Sequence, residues 1–284
     1  LTEPVVATIV VTPAFEFDGI VCDGEAKTFT ITVNPTVEVN TIADQYIISG
    51  ETSSSINISS PTSNVTFNWT AVADSGITGL VNSSSTDTTI IPAETLFNSG
   101  VEPLEVSYTI YPVLDSAIDC PEDPVIYKVI VNPTPSITFI EDQILCNQDL
   151  TSVIFTSSNS GGNITYDWIS DVEIGAGFSG TGNMNFTAIN SSTEPVLATI
   201  IVTPVFENGG VTNEGDSISF TITVNPTAQV DQPENQLVCN LDEVNVLFST
   251  QNTLGSTSYS WTSDIDIGAG LSGTDNMNFT ATNL

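Results

Sequence analysis

A chain of 284 residues has room for two or three ordinary domains, and its 40% apolar content is enough to build real cores. Its 34 aspartates and glutamates stand against two cations, Lys27 and Lys128. That balance argues against nucleic acid or anionic membrane as a partner, because phosphates and headgroups would meet no cations, and it fits a solvated acidic surface. There is no histidine. Ser-His-Asp catalysis, Cys-His catalysis and the usual zinc sites are therefore excluded.

Residues 1–35 match residues 192–226 without a gap, with Thr2-Glu3-Pro4-Val5 against Thr193-Glu194-Pro195-Val196 and Phe29 against Phe220. The segment closes on Thr30-Ile31-Thr32-Val33-Asn34-Pro35-Thr36, which returns as Val129-Ile130-Val131-Asn132-Pro133-Thr134 and as Thr221-Ile222-Thr223-Val224-Asn225-Pro226-Thr227. Alternating β-branched residues mark a strand. The Asn-Pro that follows must stop it, since proline gives no N–H to a ladder and restricts the residue before it. The chain thus opens inside a repeat: 1–35 is the end of one copy, 36–134 and 135–227 are complete copies, and 228–284 begins another. Its closing Asn276-Met277-Asn278-Phe279-Thr280-Ala281 aligns with Asn183-Met184-Asn185-Phe186-Thr187-Ala188. Leu284 then aligns with Ser191, the residue just before the one that Leu1 matches.

Within the copy 135–227, residues 136–140 and 143–146 are expected as a split first strand, and 151–157 as the next. Residues 163–169 alternate around Trp168, which recurs as Trp261 and, with one residue of slippage, as Trp69. A buried aromatic in the third strand is the expected core plug of a sandwich. A short glycine-rich strand at 174–178, a strand at 184–188, a long one at 196–203, a loop at 208–215 and the closing strand complete the count. Seven short strands in about 93 residues, without an amphipathic helix, predict an all-β chain of tandem immunoglobulin-like seven-strand β-sandwiches in an extended row.

The four cysteines fall in two kinds of place. Cys22 and Cys120 align in the loop before the last strand, where the copy 135–227 has Asn213. Cys146 and Cys239 align after the first strand, where the copy 36–134 has Ile48. A bond inside each repeat would leave Cys120 and Cys146 without partners. In an up-and-down count the two places also lie at opposite ends of the sandwich, roughly 30 Å apart for a strand of about ten residues. A disulfide needs Cα atoms within about 7 Å. The expected bond joins the first-turn cysteine of one repeat to the late-loop cysteine of the next. Cys146 would meet a Cys22 equivalent and Cys239 a Cys120 equivalent beyond residue 284, with Ile48 and Asn213 as the two halves of one missing bridge. Such cysteines suit an oxidising, extracellular setting, and no CxxC occurs. There is neither a signal peptide nor an apolar run of eighteen residues, so export signals are expected outside this stretch and membrane insertion is not expected.

Cys-Asn, Tyr-x-Trp, Ile-Gly-x-Gly, Ser-Gly-Thr-x-Asn, Phe-Thr-Ala, Ala-Thr-Ile-x-Val-Thr-Pro and Phe-Thr-Ile-Thr-Val-Asn-Pro follow one another along the repeat. This string resembles the PKD-like repeats of giant Bacteroidota cell-surface adhesins, including SprB-type gliding adhesins. The copy 36–134 departs from it, with Ser75-Gly76-Ile77-Thr78-Gly79-Leu80 in place of Ile-Gly-Ala-Gly. The resemblance implies type IX secretion, a cell-surface location and a structural role. It also implies O-glycan acceptors at Asp-Ser/Thr followed by a small or apolar residue, a pattern met at Ser116, Ser217 and Thr88.

Chemistry is otherwise sparse. No GxxxxGK occurs, and Gly175-Ala176-Gly177 leads into a strand rather than a helix. The scattered acids do not pick out a glycosidase pair. Asp171 with Glu173, and Asp264 with Asp266, sit at i and i+2 beside a glycine turn, as calcium ligands at a domain edge or as solvated turn residues. No other cofactor is expected. The chain is accordingly expected to be no enzyme but a stalk or filament segment of a large secreted adhesin, projecting a distal binding region. Its partners would be neighbouring repeats or copies, with surface polysaccharide or substratum met through other regions. One rival is a spacer or carbohydrate-binding module of a secreted polysaccharide hydrolase, which would carry an exposed aromatic platform. Another is a donor-strand polymer, in which residues 1–35 complete the C-terminal half-domain of another copy.

Overall fold

A computed structural model describes residues 2–115 and 123–283. They form strands, turns and irregular segments, and none of them lies in a helix long and apolar enough to cross a membrane. Cys120 and Ser116 fall outside the described residues.

In the copy 135–227 one sheet runs in the order Gln143–Cys146, Ile218–Asn225, Val196–Asn208, Asn163–Ser170, Ser179–Thr181, with Val211–Glu214 added to the long strand. Leu150–Val153 and Met184–Thr187 pair separately and antiparallel. The copy 36–134 repeats the plan with Gln45–Ile48, Val125–Asn132, Leu104–Leu114, Val65–Ala73 and Ser84–Ser85 in one sheet. Short pairs, Ile56–Asn57 with Ile90–Ile91 and Ile77–Thr78 with Phe97–Asn98, stand in for the second. These are tandem immunoglobulin-like β-sandwiches.

The path differs from an up-and-down count, because the first strand pairs parallel with the last, Cys146 beside Asn225 and Ile48 beside Asn132.

Sequence and structure part at several segments: the expected loop at 208–215 holds the strand Val211–Glu214, the expected strand at 151–157 ends at Val153, and three more differ for local reasons. Residues 136–140 are not a strand; Thr138 N–H reaches Thr156 O, 2.8 Å. Residues 174–178 form a turn, with Gly175 at φ +104° and Gly177 at φ +89°, and the strand begins only at Ser179. The long strand does not stop at Thr203 but runs through Pro204 to Asn208. Pairing with the last strand ends at Val202 opposite Ile218, so the missing N–H of Pro204 costs no ladder bond there. Its carbonyl still accepts the Gly215 N–H at 2.9 Å.

Period-2 alternation puts Ala198, Ile200 and Val202 inside, against Trp168, Ile174, Phe220 and Ile222. Trp69 and Trp168 are both buried, whereas Trp261, in the partial copy, is half-buried. Gly180 lies flat under Trp168, since a Cβ there would fall 2.4 Å from the indole ring, and Gly273 repeats this under Trp261 at 2.3 Å. In the first complete sandwich Trp69 stands edge-on to Tyr108, 5.8 Å between centroids, and Tyr108 packs on Tyr127 at 5.6 Å.

The buried hydroxyls of Tyr108 and Tyr127 have no hydrogen-bond partner among the described residues. Burial, with the Glu94 charge second, pushes Tyr108 up to about 12; burial raises Tyr127 further. A raised pKa keeps the proton in the folded state after the unfolded tyrosine, near pH 10, has lost it. The stability associated with the neutral phenols is therefore intact below about pH 10 and falls as pH rises towards 12. The double substitution Tyr108→Phe and Tyr127→Phe is expected to change stability at pH 8 by no more than about 1 kcal/mol. It should clearly reduce the loss between pH 8 and pH 11. Urea midpoints at the two pH values read both, and an equal alkaline loss in the variant would contradict the assignment.

Carboxylates with regular repeat spacing serve as backbone acceptors. Asp142 accepts the Thr221 N–H at 2.7 Å and Asp44 the Lys128 N–H at 2.9 Å. Asp171 accepts Thr199 N–H at 2.6 Å and Asp74 accepts Glu105 N–H at 2.9 Å. Charge-assisted bonds of this kind satisfy strand N–H groups. The one ion pair within the complete sandwiches' described residues, Lys128 with Glu105 at 2.9 Å, is substantially solvated and adds little.

Candidate functional site

The places where segments distant in sequence converge, and do so repeatedly, are the ends of the sandwiches. Residues 159–163 and 206–213 group with Leu1–Pro135 in one unit; Ser136–Ser158, Ile164–Val205 and Glu214–Leu284 form the other. In the first unit Asn132, the last residue of its strand and fully buried, exchanges two hydrogen bonds with Asn208. Asn132 Nδ2 donates to Asn208 O at 3.1 Å, and Asn208 Nδ2 donates to Asn132 Oδ1 at 3.0 Å. Gly209 holds φ +62°, and a Cβ on it would lie 2.2 Å from the Tyr46 ring, so the hairpin tip is fitted to that face.

Two consecutive carbonyls then take one backbone donor and one side-chain donor. The Asn132 carbonyl accepts Ser49 N–H at 3.0 Å, directly after Ile48, which pairs with Asn132. The Pro133 carbonyl accepts the buried Asn213 Nδ2 at 3.0 Å. The two donors thus fall on successive peptides, 132–133 and 133–134.

A second tie recurs at three repeat ends. Ser63 N–H donates to Thr2 O at 3.4 Å and Ser160 N–H to Val101 O at 3.0 Å in the first unit. In the second unit, Thr253 N–H donates to Thr193 O at 3.0 Å. The residue before the last two is an asparagine in each case. Asn159 Nδ2 reaches Val101 O and Thr134 O at 3.3 Å, and Asn252 Nδ2 reaches Thr227 O at 3.1 Å. The sequence reading missed these asparagines, although their recurrence at the repeat spacing was a signal.

The structure places the first-turn cysteines in one geometry. Asp149 accepts the Cys146 N–H and Asp242 the Cys239 N–H, each at 2.8 Å, as Glu51 accepts the Ile48 N–H at 3.1 Å. Cys22 sits opposite Phe15 in the hairpin of residues 14–23. Cys22, Cys146 and Cys239 are exposed and carry free thiols, so the structure brings none of them together.

The calcium candidates do not converge either. Asp171 is held by Thr199, whereas Glu173 Oε1 turns to the N–H groups of Gly175 and Gly177 at 2.6 and 3.0 Å. Asp266 Oδ1 does the same for Gly268 and Gly270 at 2.8 and 3.0 Å, which holds its carboxyl below the usual range. Asp264 occupies the place of Asp171. Among the described residues no group of three acidic or sulfur ligands gathers. Of the acceptor candidates, Ser217 is exposed and shares a 2.7 Å hydrogen bond with Thr203, and Thr88 Oγ1 accepts Ile90 N–H at 3.2 Å within its own turn.

Residues 41–135 match the PKD-like domain family. The span covers the first complete copy, including the segment whose turn departs from the other repeats. No curated protein sequence matches the chain. Among solved structures it is similar to the fibronectin(III)-like modules of Clostridium thermocellum CbhA, at 18% identity over 67% of this chain and 95% of that one, with a TM-score of 0.26. It is also similar to mouse Cadherin-23 EC22-24, at 12% identity over 88% and 89%, TM-score 0.34. For the N-terminal eight Ig domains of Down Syndrome Cell Adhesion Molecule the identity is 9% over 99% and 48%, TM-score 0.35.

Proposed function

We propose that this chain is a stalk segment of an extracellular, cell-surface adhesin, in which PKD-like repeats stack end to end and hold a binding region away from the cell. The observation that carries this reading is the recurrent end-to-end tie, Ser63 to Thr2, Ser160 to Val101 and Thr253 to Thr193, made each time from the loop before the tryptophan strand to the carbonyl just before a Glu-Pro. Equivalent ties mean equivalent docking of each repeat on the one before, and repeated equivalent docking propagates along a line. The acidic surface keeps such a rod soluble and discourages lateral association.

Solution scattering tests the stalk. Strands of about ten residues span roughly 33 Å, so four stacked segments should give a maximum dimension of ~100 Å or more. A compact particle near half that length would overturn the reading. The burial of Trp69 and Trp168 supports a spacer over a carbohydrate platform built on those residues. The resemblance to gliding adhesins bears on the parent protein; deleting its gene and measuring surface spreading tests that step, with unchanged spreading counting against it.

A further inference from the structure

The chain contains one Asn-Gly pair, Asn208-Gly209, and the fold sets it at the tip of the late hairpin. Asn208 ends the long strand, Val211 opens the next, and the glycines between them hold φ +62° and +77°, a tight two-residue turn. An asparagine before glycine is chemically exposed, because no side chain on the following residue shields its backbone nitrogen from the asparagine amide carbon. In the folded chain a single buried residue restrains both groups. Asn132 Oδ1 accepts Asn208 Nδ2 at 3.0 Å, which holds the amide. Asn132 Nδ2 donates to Asn208 O at 3.1 Å, which holds the peptide group that carries the Gly209 nitrogen. Asn132 is fully buried, and Gly209 is fitted against the Tyr46 ring.

We propose that Asn208 is a site of spontaneous deamidation governed by Asn132: slow while the hairpin tip is seated on Asn132 and Tyr46, fast once the tip lifts away. Ring closure needs the Gly209 nitrogen at attacking distance from Asn208 Cγ, about 3–3.5 Å, so the side chain and the peptide must turn towards each other. Asn132 holds one with each arm of its amide. That turn therefore breaks at least one of the two bonds and leaves a polar atom of a buried residue without its partner. A cavity of about 300 Å³ lined by Tyr46, Asp74, Glu102, Ile130, Gly161 and Asn208 opens beside the tip, so water has access to the reacting residue. The inference concerns one repeat end and stands whether or not the repeats form a stalk.

The steps balance without an oxidant or a cofactor. Hydroxide takes the proton of the Gly209 N–H, the nitrogen bonds to Asn208 Cγ, and the Cγ–Nδ2 bond breaks as Nδ2 takes a proton from water and leaves as ammonia. Water then adds to one of the two carbonyls of the cyclic imide and opens it. The product is aspartate with the ordinary backbone, or isoaspartate with the chain continued through Cγ, and the net change is one water consumed and one ammonia released. Either product undoes the seat. Aspartate sets a carboxylate oxygen against Asn132 Oδ1 where a donor stood, and isoaspartate adds a methylene to a two-residue turn fitted to Tyr46.

The test keeps the full chain in mildly alkaline buffer, folded or unfolded in urea, and follows the amide-to-acid mass gain at Asn208 by peptide mapping. The unfolded chain should react at Asn208 ahead of its other asparagines. The folded chain should react there about tenfold or more slowly, because reaction waits on local opening. Folded Asn132→Ala should recover most of that difference. Asn98, followed by Ser99 and bonded through Nδ2 to Glu102 O and Val131 O in the same unit, should stay unmodified and so gauges global unfolding. Tyr46→Ala loosens the tip without touching Asn132 and should also accelerate Asn208, by a smaller factor; it carries the test if Asn132→Ala does not fold. In the Asn208→Asp chain, amide exchange across residues 211–213 should rise by about tenfold as the tip leaves its seat. Equal rates at Asn208 in folded and unfolded wild type would overturn the proposal, and so would two folded variants that react no faster than wild type. Asn98 accelerating in step with Asn208, or unchanged exchange in Asn208→Asp, would overturn it as well.

Discussion

Trp69→Ala is expected to destabilise the first complete sandwich by about 3–5 kcal/mol, the usual range for removing a large buried aromatic. The indole is 2% exposed, donates its Nε1–H to Ile90 O at 3.2 Å and props the Tyr108 ring. Truncation leaves a cavity between the two sheets and an unpaired carbonyl, and the neighbouring strands Val65–Ala73 and Leu104–Leu114 share a ladder too regular to collapse into it. Amide hydrogen exchange localises the effect, with protection in Leu104–Leu114 falling by two orders of magnitude or more. Trp261→Ala supplies the comparison. Its indole is only half-covered in the isolated chain, so the expected loss is about 1 kcal/mol or less under conditions that keep the chain monomeric. Equal losses at the two positions would mean that the half-sandwich 228–284 is already as well packed as a complete one.

Gly175→Ala should be nearly as damaging, by about 3 kcal/mol or more, for a backbone reason. Gly175 has φ +104°, outside the range open to side-chain-bearing residues, and an added Cβ would sit 2.0 Å from the Thr187 carbonyl oxygen. That carbonyl belongs to the end of Met184–Thr187, and Ile189 N–H returns to Ile174 O at 2.8 Å, so neither side has room to yield. Gly182→Ala in the neighbouring turn separates strain from clash. Gly182 has φ +71° with nothing within 4 Å of a Cβ, and its cost should stay near 1 kcal/mol. Thermal and urea unfolding of the two variants side by side decide the matter. If both cost the same, the close approach to Thr187 is not what holds Gly175 in place.

Much of the architecture was legible because repetition supplies its own control. Alternation around Trp168, the Asn-Pro stops and the gapless match of 1–35 to 192–226 each rest on local chemistry, which sequence encodes directly: β-branched residues favour strands and proline ends ladders. Strand ends were less legible. Pro204 reads as a stop, yet the strand continues, because the cost of proline depends on whether a neighbour needs its N–H, and that neighbour is tertiary. The acidic pairs read as turn residues or, less readily, as ion ligands. Only the fold decides where a carboxylate points, and it turns Asp171 to Thr199 and Glu173 to Gly175 and Gly177.

The sequence by itself determined the repeat, its period, the buried tryptophans and the two classes of cysteine position. It did so because covalent order and side-chain period are one-dimensional properties. The tertiary structure decided that the first strand runs parallel to the last, which brings Ile48 to Asn132. It also decided that the late hairpin reaches back to Pro133 through Asn213. Neither contact is local: residues 80 positions apart meet because burial of apolar faces and pairing of backbone groups select one register among many, and no stretch of sequence carries that choice alone.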